Sequence, residues 1–179
     1  MRHPLEFIPQ NLRKPLFYFF FVFTIVIFGV FRLLDAPLQT SAAPSGIVSF
    51  ELARTFDSSQ AMIYSWDSTA RLFAAFGLGL DYLFMPVYAL ALSLGLLLAG
   101  YEKPNWYRAV TAWLGWGAFS AALFDMVENY ALWRVLTGSL DPVFPQIAAF
   151  CATIKFTLLI AGLLVALVNK AVKKIKTSG

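Results

Sequence analysis

Four long apolar runs dominate the chain, separated by short stretches rich in charge, proline and glycine. They cover Leu16–Leu34, Thr69–Gly100, Trp106–Leu136 and Val143–Val168. A helix needs about 20 apolar residues to cross a hydrocarbon core of about 30 Å, so each run predicts a transmembrane helix. The second and third are longer than required and predict helices that tilt or protrude. Arg13 and Lys14 precede the first run as they would in a signal peptide. The run is long and aromatic, however, and Thr40–Ala43 is a poor cleavage site, so it reads as a retained first span.

Residues 35–68 form the one sizeable stretch between spans, and Pro37, Pro44 and Gly46 break its start. Ile47–Phe56 is amphipathic but too short for its period to separate helix from strand. Asp57 to Ser59 offer a helix N-cap, after which Met62, Ile63 and Trp66 share one helical face. This predicts a short helix at the outer interface, with Trp66 at headgroup depth. Asp67 or Ser68 then caps the second span.

Composition strengthens the membrane reading. The 179 residues are 59% hydrophobic and 13% charged, with a mean hydropathy of +0.69, whereas soluble domains carry about 25% charged residues. The net charge of +4 does not imply nucleic acid, because the basic residues gather at span ends. Arg2, Arg13, Lys14, Lys103, Arg108, Lys170, Lys173, Lys174 and Lys176 fall on one side; Arg54, with Arg32, Arg71 and Arg134 at helix ends, falls on the other. This asymmetry predicts cytoplasmic N- and C-termini and a cytoplasmic 101–105 loop. The basic tail should attract anionic lipid at about 1 kcal/mol per basic residue. The expectation is an all-α, four-helix transmembrane bundle with a short extracytoplasmic cap, one domain over residues 1–179, and membrane lipid as its first partner.

Cys151 is the only cysteine and His3 the only histidine. A disulfide within the chain is therefore ruled out. With His3 ahead of the first span, histidine-ligated haem or zinc within the membrane is not expected, nor is Ser-His or Cys-His catalysis there. No metal or cofactor is expected.

Four ionisable residues lie well inside the spans: Asp81, Asp125, Glu128 and Lys155. Such groups are costly in hydrocarbon, so they should face the helix interior and pair. Counted from the outer helix ends at about 1.5 Å per residue, all four lie at a depth of about 12–18 Å. Asp125, Glu128 and Asn129 have i, i+3, i+4 spacing and share a face. Ala118, Ala121 and Ala122 continue it and allow close helix approach. Gly77, Asp81, Met85 and Tyr88 form a stripe on the second span. Three acids outnumber one lysine, so a proton, a bound cation, or Arg32 or Arg134 reaching inward has to complete the balance. Glu128, nearest the outer end, is expected to reach water.

These residues support three readings: a clamp that fixes helix register, a binding site, or a catalytic centre. The leading expectation is a non-enzymatic binding or accessory protein. Asp81, Asp125, Glu128, Asn129, Lys155 and Tyr88 would contact a small apolar or lipid-like ligand, or an ion. The alternatives are an intramembrane aspartate-type hydrolase or isomerase, using Asp81 and Asp125 as acid and base, and a structural subunit of a homo-oligomer or larger membrane complex.

The pairing of Asp81-Tyr82-x-Phe84 with Asp125-x-x-Glu128-Asn129 resembles a group of small bacterial four-helix membrane proteins, over roughly Phe50 to Trp133. That resemblance implies a shared fold and a bacterial inner-membrane location, and it brings no activity. A looser similarity is to the four-helix family of sterol isomerases and sigma-2-type receptors. It rests on length, a long loop after the first helix, Asp35, and an acid ahead of a proline (Asp81 and Pro86). The membrane histidine of those isomerases has no counterpart here. Lipoprotein signal peptidases are similar in helix number and in having paired aspartates, but their asparagine-containing motifs are missing.

Overall fold

The computed structural model describes residues 2–176, with the side chains of 168–176 excepted, so the basic tail expected to meet lipid lies outside the described side chains. Every regular element among the described residues is helical. Helix α1 spans Gln10–Asp35 and runs into a 3-10 turn, Ala36–Leu38. Two short helices follow, α2 (Ile47–Glu51) and α3 (Phe56–Ser65). Three long ones complete the chain: α4 (Ser68–Ala99), α5 (Asn105–Leu136) and α6 (Val143–Lys176). The expected starts of α4, α5 and α6 agree within one residue, whereas α1 begins six residues earlier than the apolar run and α6 continues past it.

Four helices are long and apolar enough to cross a membrane. In α1 only 6% of the most apolar window is buried, and Phe19, Val22, Val26 and Leu33 are all exposed. A surface of that kind is costly in water and suits hydrocarbon.

The chain divides into two compact units. The first comprises residues 1–24, 86–122 and 156–179; the second comprises 25–85 and 123–155. Helices α1, α4, α5 and α6 each contribute a segment to both.

In the second unit the stretch between α1 and α4 is a folded cap with its own core. Phe50, Ile63 and Trp66 pack with Leu38, Ala70, Ala74, Leu132, Val135 and Ala148. The Phe50 and Trp66 rings meet edge to face at 5.3 Å, and burying a side chain such as Phe50 contributes about 1.5–3 kcal/mol. Trp66 is a core residue and not a surface one: it is 2% exposed, and its indole N–H donates to the Leu38 carbonyl at 2.8 Å. An indole can satisfy its one donor within protein as well as at an interface, and here the chain turn after α1 supplies the acceptor. The N-cap of α3 is Thr55, two residues before the expected position, and its hydroxyl accepts from the Ser58 N–H. Asp67 caps α4 through the Ala70 N–H at 2.7 Å.

Helix α2 has five residues, too few to be stable alone, and Gly46 before it provides no side-chain cap. Asp35 supplies one from a distance. Its Oδ1 accepts the Ile47 N–H at 2.7 Å, and its Oδ2 accepts from Gln39 Nε2 at 3.2 Å. Gly46 has φ +57°, and a Cβ there would fall inside the Asp35 carboxylate. Only glycine meets both conditions.

In the first unit the residues ahead of α1 fold back onto α5. His3 is 8% exposed and sits where Gly115 has no side chain; a Cβ at 115 would overlap the imidazole. The Trp116 indole N–H donates to the Arg2 carbonyl at 3.2 Å. Burial holds the imidazole well below its ordinary range, at about 4, against the opposing pull of Glu6. His3 Nδ1 accepts the Leu5 N–H at 3.2 Å, so the ring proton belongs on Nε2. The histidine ahead of the first span is therefore packed against α5.

Candidate functional site

Helical spacing places Asp125, Glu128 and Asn129 on one face of α5, as the sequence implies. Three other elements of the second unit bring side chains to that face. Helix α6 contributes Lys155, α4 contributes Asp81, and the C-terminal residue of α2 contributes Glu51.

Lys155 Nζ donates to Glu128 Oε1 at 2.9 Å and to Asp125 Oδ1 at 3.1 Å. Its third near neighbour is Glu51 Oε1, at 3.8 Å. Asp81 is satisfied differently: Asn129 Nδ2 donates to its Oδ2 at 2.7 Å. The cluster is thus two linked parts, an ammonium among three carboxylates and an amide–carboxylate pair, joined by the adjacent Glu128 and Asn129.

Burial differs from expectation at both ends. Glu128, expected to reach water, is 0% exposed, because α6 and Lys155 cover it. Asp81, expected to be deeply buried, is half-buried and stands at the edge of the cluster, next to exposed Tyr82. Neither arginine proposed to complete the charge balance reaches inward. Arg32 lies 3.7 Å from Asp35 with most of its side chain exposed. Arg134 donates to the Tyr130 hydroxyl and lies over the Phe144 ring at 4.9 Å. Span-end guanidiniums keep to the surface, where they remain hydrated.

The imbalance is larger than the sequence suggests, because Glu51 adds a fourth carboxylate. Burial raises the Glu51 carboxyl to about 7; Lys155 opposes that shift, while Asp125 and Asp35 add to it. Three buried acceptor atoms of the cluster have no hydrogen-bond partner among the described residues: Glu51 Oε2, Glu128 Oε2 and Asn129 Oδ1. Unpaired buried acceptors cost about 1–3 kcal/mol each, so three in one cluster indicate a group that is not fully charged or not fully closed.

One site expectation lies outside this geometry. Tyr88 is buried at 6% exposure and belongs to the first unit. Cys151, one turn from Lys155 on α6, is a buried free thiol. The motif Asp81-Tyr82-x-Phe84 is mainly structural around its acid: the Tyr82 hydroxyl donates to the Met126 carbonyl at 3.4 Å, and Phe84 meets Phe31 edge to face at 5.2 Å.

Sequence reasoning missed Glu51, which lies in a stretch whose period is ambiguous. Its one signal is a lone acid between Phe50 and Leu52 in an otherwise apolar run. No family model, curated protein or solved structure matches the chain.

Proposed function

We propose that the chain is a multi-pass integral membrane protein, non-enzymatic, whose carboxylate–lysine cluster binds exchangeable protons. The observation that carries this reading is the charge imbalance: Glu51, Asp125 and Glu128 gather around a single buried ammonium, with Asp81 a fourth carboxylate at the edge of the cluster. Net charge of that size is not tolerated at low dielectric, so protons or a small cation must offset it. The Lys155 ammonium occupies the point at which Glu51, Asp125 and Glu128 converge, which favours protons over a metal ion. Asp81 and Asp125 engage Asn129 and Lys155 respectively, which favours binding over an aspartate acid–base pair. Half-buried Asp81 supplies the entry, and Asn129 and Glu128 lead from it to Lys155.

The exposed apolar surface of α1 and the four long apolar helices support the membrane setting. The asymmetry of basic residues supports cytoplasmic termini, and the bacterial resemblance supports an inner-membrane location. Infrared difference spectra of the purified chain at acid and neutral pH test the proton site. A protonated-carboxyl band should change across about pH 7 and diminish in Glu51→Gln and Glu128→Gln. A spectrum with no such band, or one that neither variant alters, would refute the reading.

A further inference from the structure

The first unit contains a cavity of about 620 Å³ at the starts of α1 and α5 and the end of α4. Its wall carries three guanidiniums, Arg2, Arg13 and Arg108, against the carboxylates of Glu6 and Glu102. His3 also lines it and is neutral near pH 7. Helix α5 begins in this wall at Asn105, so its positive dipole end adds to the guanidinium field.

The guanidiniums are differently engaged. Arg13 Nε donates to the Ile8 carbonyl at 2.8 Å and its Nη2 to the Glu6 carbonyl at 3.0 Å, so it braces the turn ahead of α1. Arg108 reaches Glu6 only at 3.9 Å, with more than half of its side chain exposed. Arg2 is exposed, and its place at the rim is set from behind by His3 in the Gly115 notch and by the Trp116 bond to its carbonyl. Like charges are gathered here by a segment that folds back to bring one of them. Three guanidiniums against two carboxylates leave an excess of one positive charge that an anion would offset, and arginine is the side chain whose paired N–H groups hold phosphate.

All of these residues stand at the ends of candidate spans, and Phe7, Leu12 and Trp106 beside them expose large apolar surfaces. In a membrane this is headgroup depth. We infer that the cavity binds the phosphate of a phospholipid headgroup, held by Arg2 and Arg108 with the lipid tails lying along the exposed apolar side chains. The lipid part rests on the membrane reading above; the phosphate part rests on the cavity alone.

Native mass spectrometry of the full chain in detergent tests it, with phosphatidylglycerol, diacylglycerol and inorganic phosphate as probes. Phosphatidylglycerol should be retained and diacylglycerol, which has no phosphate, should not. Arg2→Gln combined with Arg108→Gln should weaken retention at least about tenfold, the loss expected for charge-assisted hydrogen bonds. Both side chains are exposed, and an unchanged melting temperature would show that the variant folds. Gly115→Val, which displaces His3 and replaces none of the arginines, should weaken retention as well. Equal retention of diacylglycerol, or full retention by the double arginine variant, would overturn the site. Inorganic phosphate that displaces the lipid at equal concentration would overturn the headgroup assignment. Alkaline carbonate extraction examines the membrane reading separately, since it does not depend on the arginines.

Discussion

Lys155 and Glu128 are each other's principal partners, and the consequences of removing one or both differ. Loss of one member of a buried ion pair typically costs about 3–5 kcal/mol, whereas replacing both can be close to neutral. Lys155→Met should therefore lower the melting temperature strongly, and Lys155→Met with Glu128→Gln should recover much of the loss. A double variant as unstable as the single one would mean that the pair does not stabilise the fold. Among the acids, Glu128→Gln and Asp125→Asn should both be disruptive, because each acid accepts from the buried ammonium. Asp81→Asn should be milder, because its partner is the Asn129 amide and its side chain is half-buried. Melts of the three variants in detergent give the order directly.

Glu51 gives the cluster a pH dependence whose sign follows from its raised carboxyl. In the unfolded chain the group loses its proton near 4.5, and in the folded protein near 7. The folded state therefore holds more protons between these values, so the contribution of Glu51 is complete below about pH 4.5 and is lost as pH rises through about 7. Stability measured from about pH 4.5 to 7 should fall less steeply in Glu51→Gln than in the wild type; parallel curves would show that Glu51 is not buried against the cluster. His3 acts in the opposite sense. Its folded value of about 4 lies below the ordinary 6.5, so its contribution is present above about 6.5 and is lost as pH falls through about 4.

At the scale of the element, α2 shows how a helix too short to stand alone is positioned. Asp35 caps it across 12 residues, Gly46 admits that carboxylate, and Phe50 anchors the other face in the cap core. Glu51 is aimed at Lys155 as a consequence. Gly46→Ala should destabilise the protein by more than the roughly 1–2 kcal/mol that left-handed backbone alone costs an L-residue, because its Cβ also displaces Asp35. If the cap positions Glu51, the same substitution should flatten the pH dependence assigned to that acid. Trp66→Phe should cost about 1–3 kcal/mol, the penalty for leaving the Leu38 carbonyl without its donor, and an unchanged melt would argue that the indole bond contributes nothing.

At the scale of the molecule, four apolar helices and a biased distribution of arginine and lysine predict the topology. A cysteine at position 103 should resist a membrane-impermeant reagent applied to intact cells, and one at position 57 should react. Cys151 is buried and should stay silent in both. Labelling at 103 from outside would reverse the orientation.

By itself the sequence determined the four long helices, because an uninterrupted apolar run of about 20 residues or more is too long for a strand and satisfies its backbone internally as a helix. Helical spacing likewise determined that Asp125, Glu128 and Asn129 share a face. Counting along helices anticipated that Lys155 would meet that face, since depth is nearly linear in residue number within a span. Tertiary structure decided everything that depends on a segment without a period. It decided that the expected cap packs around a core of its own, that Glu51 joins the cluster from that cap, and that Trp66 is a core residue. It decided too that His3 occupies the notch at Gly115. Exposure around a helix follows from which neighbours cover it rather than from distance to its end. That is why the expected places of Glu128 and Asp81 were exchanged, with Glu128 enclosed under Lys155 and Asp81 left at the edge.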